Sequence, residues 1–181
     1  MNIDTRQRYE KPVVACGFNA WVDVHAPMDV VFRFLSDEQE LRLWWASKCM
    51  AEPKAGGKLH FVWVTEEHET TGDAIFRRFE PPNLLQIEWT HQNGEAILCN
   101  GEDHRGMLWP ALNTYELAQI NANTTRVHLH DPGLNSGPEY APMWQATCDG
   151  WGECLSRLKR VVENRQREEV TRQVRKNSRK K

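Results

Sequence analysis

The chain has 181 residues, a length typical of one domain with some extension, and a formal net charge of −2 at pH 7. No apolar run reaches the ~18 residues of a membrane-spanning helix, and no secretory signal is expected because the first residues lack an apolar core. Eight tryptophans exceed ordinary usage, and such rings carry much of the burial energy wherever they pack. The composition therefore indicates a globular domain rich in aromatic contacts.

The cysteines and the charge distribution bear on location and partners. Five cysteines without a CxxC motif predict reduced thiols in a cytoplasmic protein. Residues 165–181 carry a charge of +6 and the remaining residues −8. This basic tail is interpreted as a solvated helix end, with contact to nucleic acid or to an acidic partner as the alternative. The solvated interpretation is favoured because no aromatic residue lies among these charges.

A strand followed by two short helices is predicted at the beginning of the chain. The strand spans residues 13–26. Pro27 ends it and can begin a helix, because the first N–H groups of a helix have no internal acceptor. The second helix ends near Trp45, and either Ser36 or Asp37 is its predicted N-cap.

Alternating side chains then predict antiparallel strands. The clearest strand covers residues 58–65, where Leu59, Phe61 and Trp63 share one face. The pattern at residues 76–79 indicates a β-bulge. Further strands are predicted over residues 72–80, 85–91, 113–117 and 125–131.

The last part of the chain is predicted to be a long helix. Residues 95–110 show no regular pattern, which predicts a long loop or a bent strand pair before the last strands. After a proline-rich loop, apolar residues recur at helical spacing and the packed part of the helix ends near Glu163. The stripe consists of Trp144, Cys148, Trp151, Leu155, Leu158 and Val162.

The order of these motifs resembles that of a known superfamily. The matching segments are Ala26-Pro27 through Phe32, Trp44-Trp45, Gly56-Gly57-Lys58-Leu59, Pro81-Pro82, Thr124 to Leu129 and Gly150-Trp151. Over residues 22–163 the chain resembles the START-like (SRPBCC) superfamily, and within it bacterial proteins similar to the activator of heat-shock chaperone ATPase. Asp131 departs from the family, which usually has a histidine after the last strand.

The resemblance implies an α+β helix-grip fold, in which a curved antiparallel sheet wraps around a long C-terminal helix and two short helices follow the first strand. We therefore predict an N-terminal extension over residues 1–20, a START-like domain over 21–164 and a basic tail over 165–181. Dimerisation is an open possibility.

In such a fold the inward face of the sheet and the helix enclose a cavity. An apolar pocket with a few polar groups is the usual form of a small-molecule site. The alternative is that these side chains simply fill the core. The predicted ligand-binding residues are Trp45, Phe61, Trp63, Trp89, His91, Tyr115, Met143, Trp144, Cys148 and Trp151.

His91 and Asp131 are the candidate catalytic residues. Each ends an inward-facing alternation, and an aspartate beside a histidine is an arrangement that general base catalysis uses. His128 and His130 share the outward face of a strand, but zinc sites need three or four ligands. No metal and no cofactor are therefore expected.

Three functions remain open from the sequence. The leading hypothesis is a cytoplasmic protein that binds a small apolar molecule. The resemblance implies an alternative, an interaction module associated with a chaperone and the stress response. A further alternative is a cyclase- or hydrolase-like enzyme that uses His91 and Asp131. Neither a membrane nor a nucleic acid is an expected partner.

Overall fold

The computed structural model describes residues 16–96, 112–134 and 141–178. Most of the predicted loop over 95–110 lies outside these ranges. No helix within them is long and apolar enough to span a membrane. The elements in chain order are β1 (Cys16–Val24), α1 (Met28–Ser36), α2 (Glu38–Trp44), β2 (Lys48–Ala51), β3 (Lys58–Val64), β4 (Glu69–Glu80), β5 (Leu84–Gln92), β6 (Glu95–Ala96), β7 (Leu112–Asn121), β8 (Thr124–Leu134) and α3 (Ala141–Ser178).

The described strands form one antiparallel sheet. Its order is β1-β8-β7-β5-β4-β3-β2, and the short β6 pairs with β5. The long helix α3 contacts β1, α1 and α2, and α1 contacts β7 and β8. The helices thus cover one face of a curved sheet, and the predicted α+β helix-grip class is confirmed.

The N-cap of α2 is Asp37, one of the two residues predicted for this position. Its carboxylate accepts hydrogen bonds from the backbone N–H groups of Gln39 at 2.9 Å and Glu40 at 3.3 Å. Ser36 instead donates to the carbonyl oxygen of Phe32 at 3.0 Å, inside α1. A side-chain cap of this kind satisfies helix donors that have no internal acceptor.

The predicted bulge in β4 is confirmed. The register with β5 shifts between Phe76 and Arg78, which leaves Arg77 as the extra residue. Simple alternation would place Phe76 and Phe79 on opposite faces of the strand. With the bulge both rings reach the core, and their centroids lie 5.7 Å apart.

The helix α3 buries the second half of its predicted stripe. Leu155, Leu158 and Val162 are fully buried, Trp151 is partly buried, and residues after Glu163 are almost all exposed. The helix continues to Ser178, so most of the basic tail is helical. The predicted boundaries at residues 20 and 164 fall inside β1 and α3, and the domain division itself stays a prediction.

Gly72 in β4 lies directly beneath the ring of Phe61. A Cβ atom added at Gly72 would lie 2.1 Å from Cζ of Phe61. The ring is fully buried and contacts other aromatic side chains, so it has little room to move. A glycine is therefore required here by close approach of a side chain to the backbone.

We expect Gly72→Ala to lower the free energy of unfolding by about 1–3 kcal/mol, because the added methyl overpacks the core. Urea denaturation measures this change. Gly150→Ala is the matched control: a Cβ there meets nothing within 4 Å, and alanine favours a helix by about 0.5–1 kcal/mol. Equal stability of the Gly72→Ala variant and the parent would contradict the packing described.

Glu163 fastens α3 to the end of β1. Its Oε1 accepts hydrogen bonds from the backbone N–H of His25 at 3.0 Å and from Nζ of Lys159 at 2.9 Å. Lys159 also donates to the carbonyl oxygen of Asp23. Burial acts to raise the pKa of Glu163, but Lys159 and His25 outweigh it and hold the pKa below its ordinary value of 4.5.

A carboxyl group with a lowered folded-state pKa stabilises the protein above its unfolded pKa, and this stability is lost as pH falls through the folded value. We therefore expect Glu163→Gln to cost about 1 kcal/mol of unfolding free energy at pH 7. The difference from the parent should shrink as the pH falls below 4.5. Chemical denaturation at several pH values tests this, with Glu153→Gln on the exposed face of α3 as the control. A penalty independent of pH would rule out the ionic contribution.

Candidate functional site

Four aromatic side chains meet on the concave face of the sheet. This aromatic quartet consists of Trp45 from the end of α2, Phe61 and Trp63 from β3, and Trp89 from β5. Every pair of rings in the quartet is in contact, with centroids 4.6 to 6.1 Å apart. Trp45 and Phe61 are buried, whereas Trp63 and Trp89 are only partly buried. The accessible parts of the Trp63 and Trp89 rings therefore form an apolar surface on the concave face.

A chain of hydrogen bonds connects the quartet to the terminal helix. Nε1 of Trp89 donates to Oδ1 of Asn113, and Nδ2 of Asn113 donates to Oδ2 of Asp131 at 2.8 Å. Nε1 of Trp151 donates to the same carboxylate oxygen at 2.8 Å. We call these four residues the polar bridge. It joins β5, β7, β8 and α3 through side chains alone.

Tyr115 lies beside the polar bridge. Its ring meets that of Trp151 edge to face, with centroids 6.3 Å apart. Burial raises the pKa of Tyr115 well above its ordinary value of 10, and the Cys154 thiol and the Asp131 carboxylate act in the same direction. The phenol is therefore neutral across the physiological pH range.

The expectation that His91 faces inward is wrong. Trp89 pairs with Ala74 and His91 pairs with Asp73, so Thr90 is an extra residue in β5. Asp73 belongs to the outer face, where its Oδ1 lies 2.7 Å from Nδ1 of His60. Since directly paired residues share a face of the sheet, His91 is on the outer face and is exposed.

The shift at Thr90 also exchanges the residues at the end of β5. Gln92 pairs with Gly72 and therefore takes the inward position that the sequence assigned to His91. Asp131 continues the inward alternation of β8. The two candidate catalytic residues lie on opposite faces of the sheet, so the predicted histidine–aspartate pair is not formed.

The outward histidines of β8 lie where the sequence placed them. Nδ1 of His130, which is exposed, lies 2.8 Å from Oδ1 of Asn19 on β1. The described ranges contain no group of three or more histidine, cysteine, aspartate or glutamate side chains arranged to hold a metal ion.

The structure describes the side chains of only some of the remaining candidates on α3. The side chains of Met143 and Trp144 lie outside the described residues. Cys148 is partly buried and, like Cys49 and Cys154, is not in a disulfide. Burial raises the pKa of Cys49 to about 11 and raises that of Cys154, so both thiols stay protonated and are poor nucleophiles.

Two residues of the site, Asn113 and Gln92, are missing from the sequence-predicted set. Asn113 begins the inward alternation that continues with Tyr115 and Leu117, and it is 3% exposed. A polar side chain at an inward position must find hydrogen-bond partners, and this signal was present in the sequence. No comparable signal marks Gln92, because its orientation depends on the bulge at Thr90.

One family model matches the sequence, that of the Activator of Hsp90 ATPase homolog 1-like protein, over residues 25–163. The chain belongs to this family. The family match and the fold described above together confirm the predicted START-like superfamily. No curated protein matches the chain by sequence.

Solved structures of low sequence identity share the fold. A protein of Arthrobacter aurescens is 17% identical with a TM-score of 0.66, covering 86% of this chain and 90% of its own. A protein of Nitrosomonas europaea is 14% identical with a TM-score of 0.64, covering 83% and 96%. The Aha1 dimer of Colwellia psychrerythraea is 14% identical with a TM-score of 0.62, covering 81% and 96%.

We expect Asp131→Ala to lower the free energy of unfolding by about 2–4 kcal/mol, because it leaves the donors of Asn113 and Trp151 without their acceptor. Asp131→Asn keeps an oxygen that can accept both hydrogen bonds and is expected to cost less than half as much. Denaturant titrations of the two variants measure the difference. Equal losses would mean that the charge, and not the pair of hydrogen bonds, stabilises the bridge.

Proposed function

We propose that this protein is a cytoplasmic binding protein for a small, largely apolar molecule held between the concave face of the sheet and α3. The observation that carries the proposal is the combination of the aromatic quartet with the polar bridge. Apolar walls with a few fixed polar groups are the usual composition of small-molecule sites. The family fold is consistent with this role.

The incomplete burial of the inward rings supports a binding surface over a filled core. Trp63 and Trp89 point to the concave face, yet both keep accessible surface, as does Trp151 at the other end of the polar bridge. Contact with an apolar ligand would remove this surface from water. This burial favours binding by about 25 cal/mol per Å², against which the entropic cost of association is set.

The polar groups indicate what else the ligand carries. Nε1 of Trp45 is buried and has no acceptor among the described residues. A buried N–H without a partner costs about 1–3 kcal/mol, so an acceptor brought near it would contribute to binding. We infer that the ligand has an apolar body and at least one hydrogen-bond acceptor, such as a carbonyl oxygen.

A second candidate is a protein-interaction module that activates a chaperone ATPase. The family description supports it, since the family is named for activators of Hsp90 ATPase. This role would use an external surface, and it requires no accessible apolar surface on the concave face.

The test of the first candidate uses an uncharged apolar dye, N-phenyl-1-naphthylamine, together with native mass spectrometry of protein purified from its host. We expect dye binding and a co-purifying small molecule. Trp63→Ala should weaken dye binding about tenfold, because a ring contact of this size contributes roughly 1.4 kcal/mol. The host-purified variant should lose the co-purifying molecule.

Trp21→Ala is the matched control, because Trp21 belongs to the same sheet but is 64% exposed on its outer face. It should leave dye binding unchanged. Circular dichroism and thermal unfolding establish that both variants are folded. If neither the dye nor a natural molecule binds while the protein accelerates a chaperone ATPase, the second candidate is correct and the first is wrong.

A further inference from the structure

The exposed side of α3 carries a row of arginines that form no ion pair with any residue of the described ranges. Arg157, Arg160, Arg167 and Arg175 follow one another with spacings that return to the same side of a helix, opposite the buried Leu158 and Val162. The neutral polar residues Asn164 and Thr171 fill the positions between them. We call this row the arginine stripe. With a rise of about 1.5 Å per residue it is about 27 Å long.

The ion pairs that α3 forms among the described residues lie beside the stripe. Lys159 pairs with Glu163 at 2.9 Å, Arg165 with Glu168 at 4.0 Å, and Arg172 with Glu169 at 3.2 Å. These pairs neutralise the flanks of the helix and concentrate the unbalanced positive charge on one side.

The stripe arginines have only neutral partners within the described ranges. Nη1 of Arg157 lies 3.4 Å from the carbonyl oxygen of Trp44, and Arg167 donates to the amide oxygen of Asn164. Arg160 and Arg175 form no ion pair with any described residue. Arginine keeps its charge at all physiological pH values and binds carboxylates through two parallel hydrogen bonds. The stripe is therefore suited to a row of anionic groups.

Two further features adjoin the stripe. An open concavity of about 410 Å³ lies at its beginning, lined by Gly152, Glu153, Ser156, Arg157 and Arg160. At its other end Val170 and Val174, one helical turn apart, are each 59% exposed. Exposed apolar side chains beside a charged row favour a partner that offers both charge and apolar surface.

We propose that the arginine stripe binds an acidic, partly apolar segment of another protein, with carboxylates on the arginines and apolar side chains on Val170 and Val174. A nucleic acid fits less well. Its phosphates would match the arginines, but residues 152–178 contain no aromatic ring on which bases stack, and the remainder of the chain before residue 165 carries −8.

The segments of the chain that lie outside the described ranges do not supply such a segment. Residues 1–15, 97–111 and 135–140 each carry no more than one net negative charge. A tail of +6 would remain largely unbalanced by any of them. An acidic partner of opposite charge is therefore the occupant that the charges favour.

The experiment measures fluorescence anisotropy of a labelled helical peptide of about 18 residues, the length of the stripe, with glutamates on one face and leucines beside them. Arg160→Glu with Arg167→Glu should weaken binding at least tenfold. Arg165→Glu with Arg172→Glu makes the same change in net charge at ion-paired positions beside the stripe, and should weaken binding less than threefold. The peptide with glutamine in place of glutamate should not bind.

Replacing Val170 and Val174 by serine should weaken peptide binding several-fold and leave the weak binding of a single-stranded oligonucleotide of similar length unchanged. The proposal is wrong if both arginine pairs have equal effects, if the oligonucleotide binds more tightly than the peptide, or if the peptide does not bind. It is also wrong if the protein alone sediments as a dimer that the Arg160 and Arg167 reversals dissociate. The stripe would then bind a second copy of the chain.

Discussion

The carboxylate of Asp131 holds the concave face of the sheet to the terminal helix. Its Oδ2 accepts hydrogen bonds from Asn113 on β7 and from Trp151 on α3, both at 2.8 Å. Asn113 in turn accepts from Trp89 on β5, so one oxygen fixes the position of two tryptophan rings on different elements. A hydrogen bond to an ionised group is stronger than one between neutral groups. The geometry of the proposed binding surface depends on this single carboxylate.

The aromatic quartet and the polar bridge make different contributions to the proposed binding surface. The quartet supplies apolar surface, held rigid because Phe61 lies against Gly72 and every ring touches the others. The polar bridge supplies polar groups whose orientation is fixed by their hydrogen bonds to one another. A ligand meeting this surface therefore encounters side chains that need little rearrangement, which lowers the entropic cost of binding.

One part of the helix α3 packs against the domain and another part is exposed to solvent. Its middle turns bury Leu155 and Leu158 against the domain, and its last turns are exposed on all sides. In the exposed part, Glu168 and Glu169 pair with Arg165 and Arg172 on the flanks of the helix. The positive charge of the stripe is therefore not neutralised by these acidic residues. The proposed ligand site and the proposed docking surface thus use the concave side of the sheet and the outer side of the helix, and they can be tested independently.

The sequence by itself determined the elements whose signals are local. Alternating side chains predicted β3, and Pro27 predicted the start of α1. Ser36 and Asp37 were the two predicted N-caps of α2, and the pattern at residues 76–79 predicted a bulge in β4. All four residues of the quartet belong to the predicted ligand-binding set. These signals are readable because the side-chain period of a strand or helix is fixed by its backbone geometry.

Only the tertiary structure decided what depends on the register of neighbouring strands. One extra residue at Thr90 moved His91 to the outer face and brought Gln92 inward. The pairing of Asn113 with Trp89 and Asp131 needed three strands to be in place. A one-residue shift reverses the face of every following side chain, and it is set by pairing with distant parts of the chain that no local pattern contains.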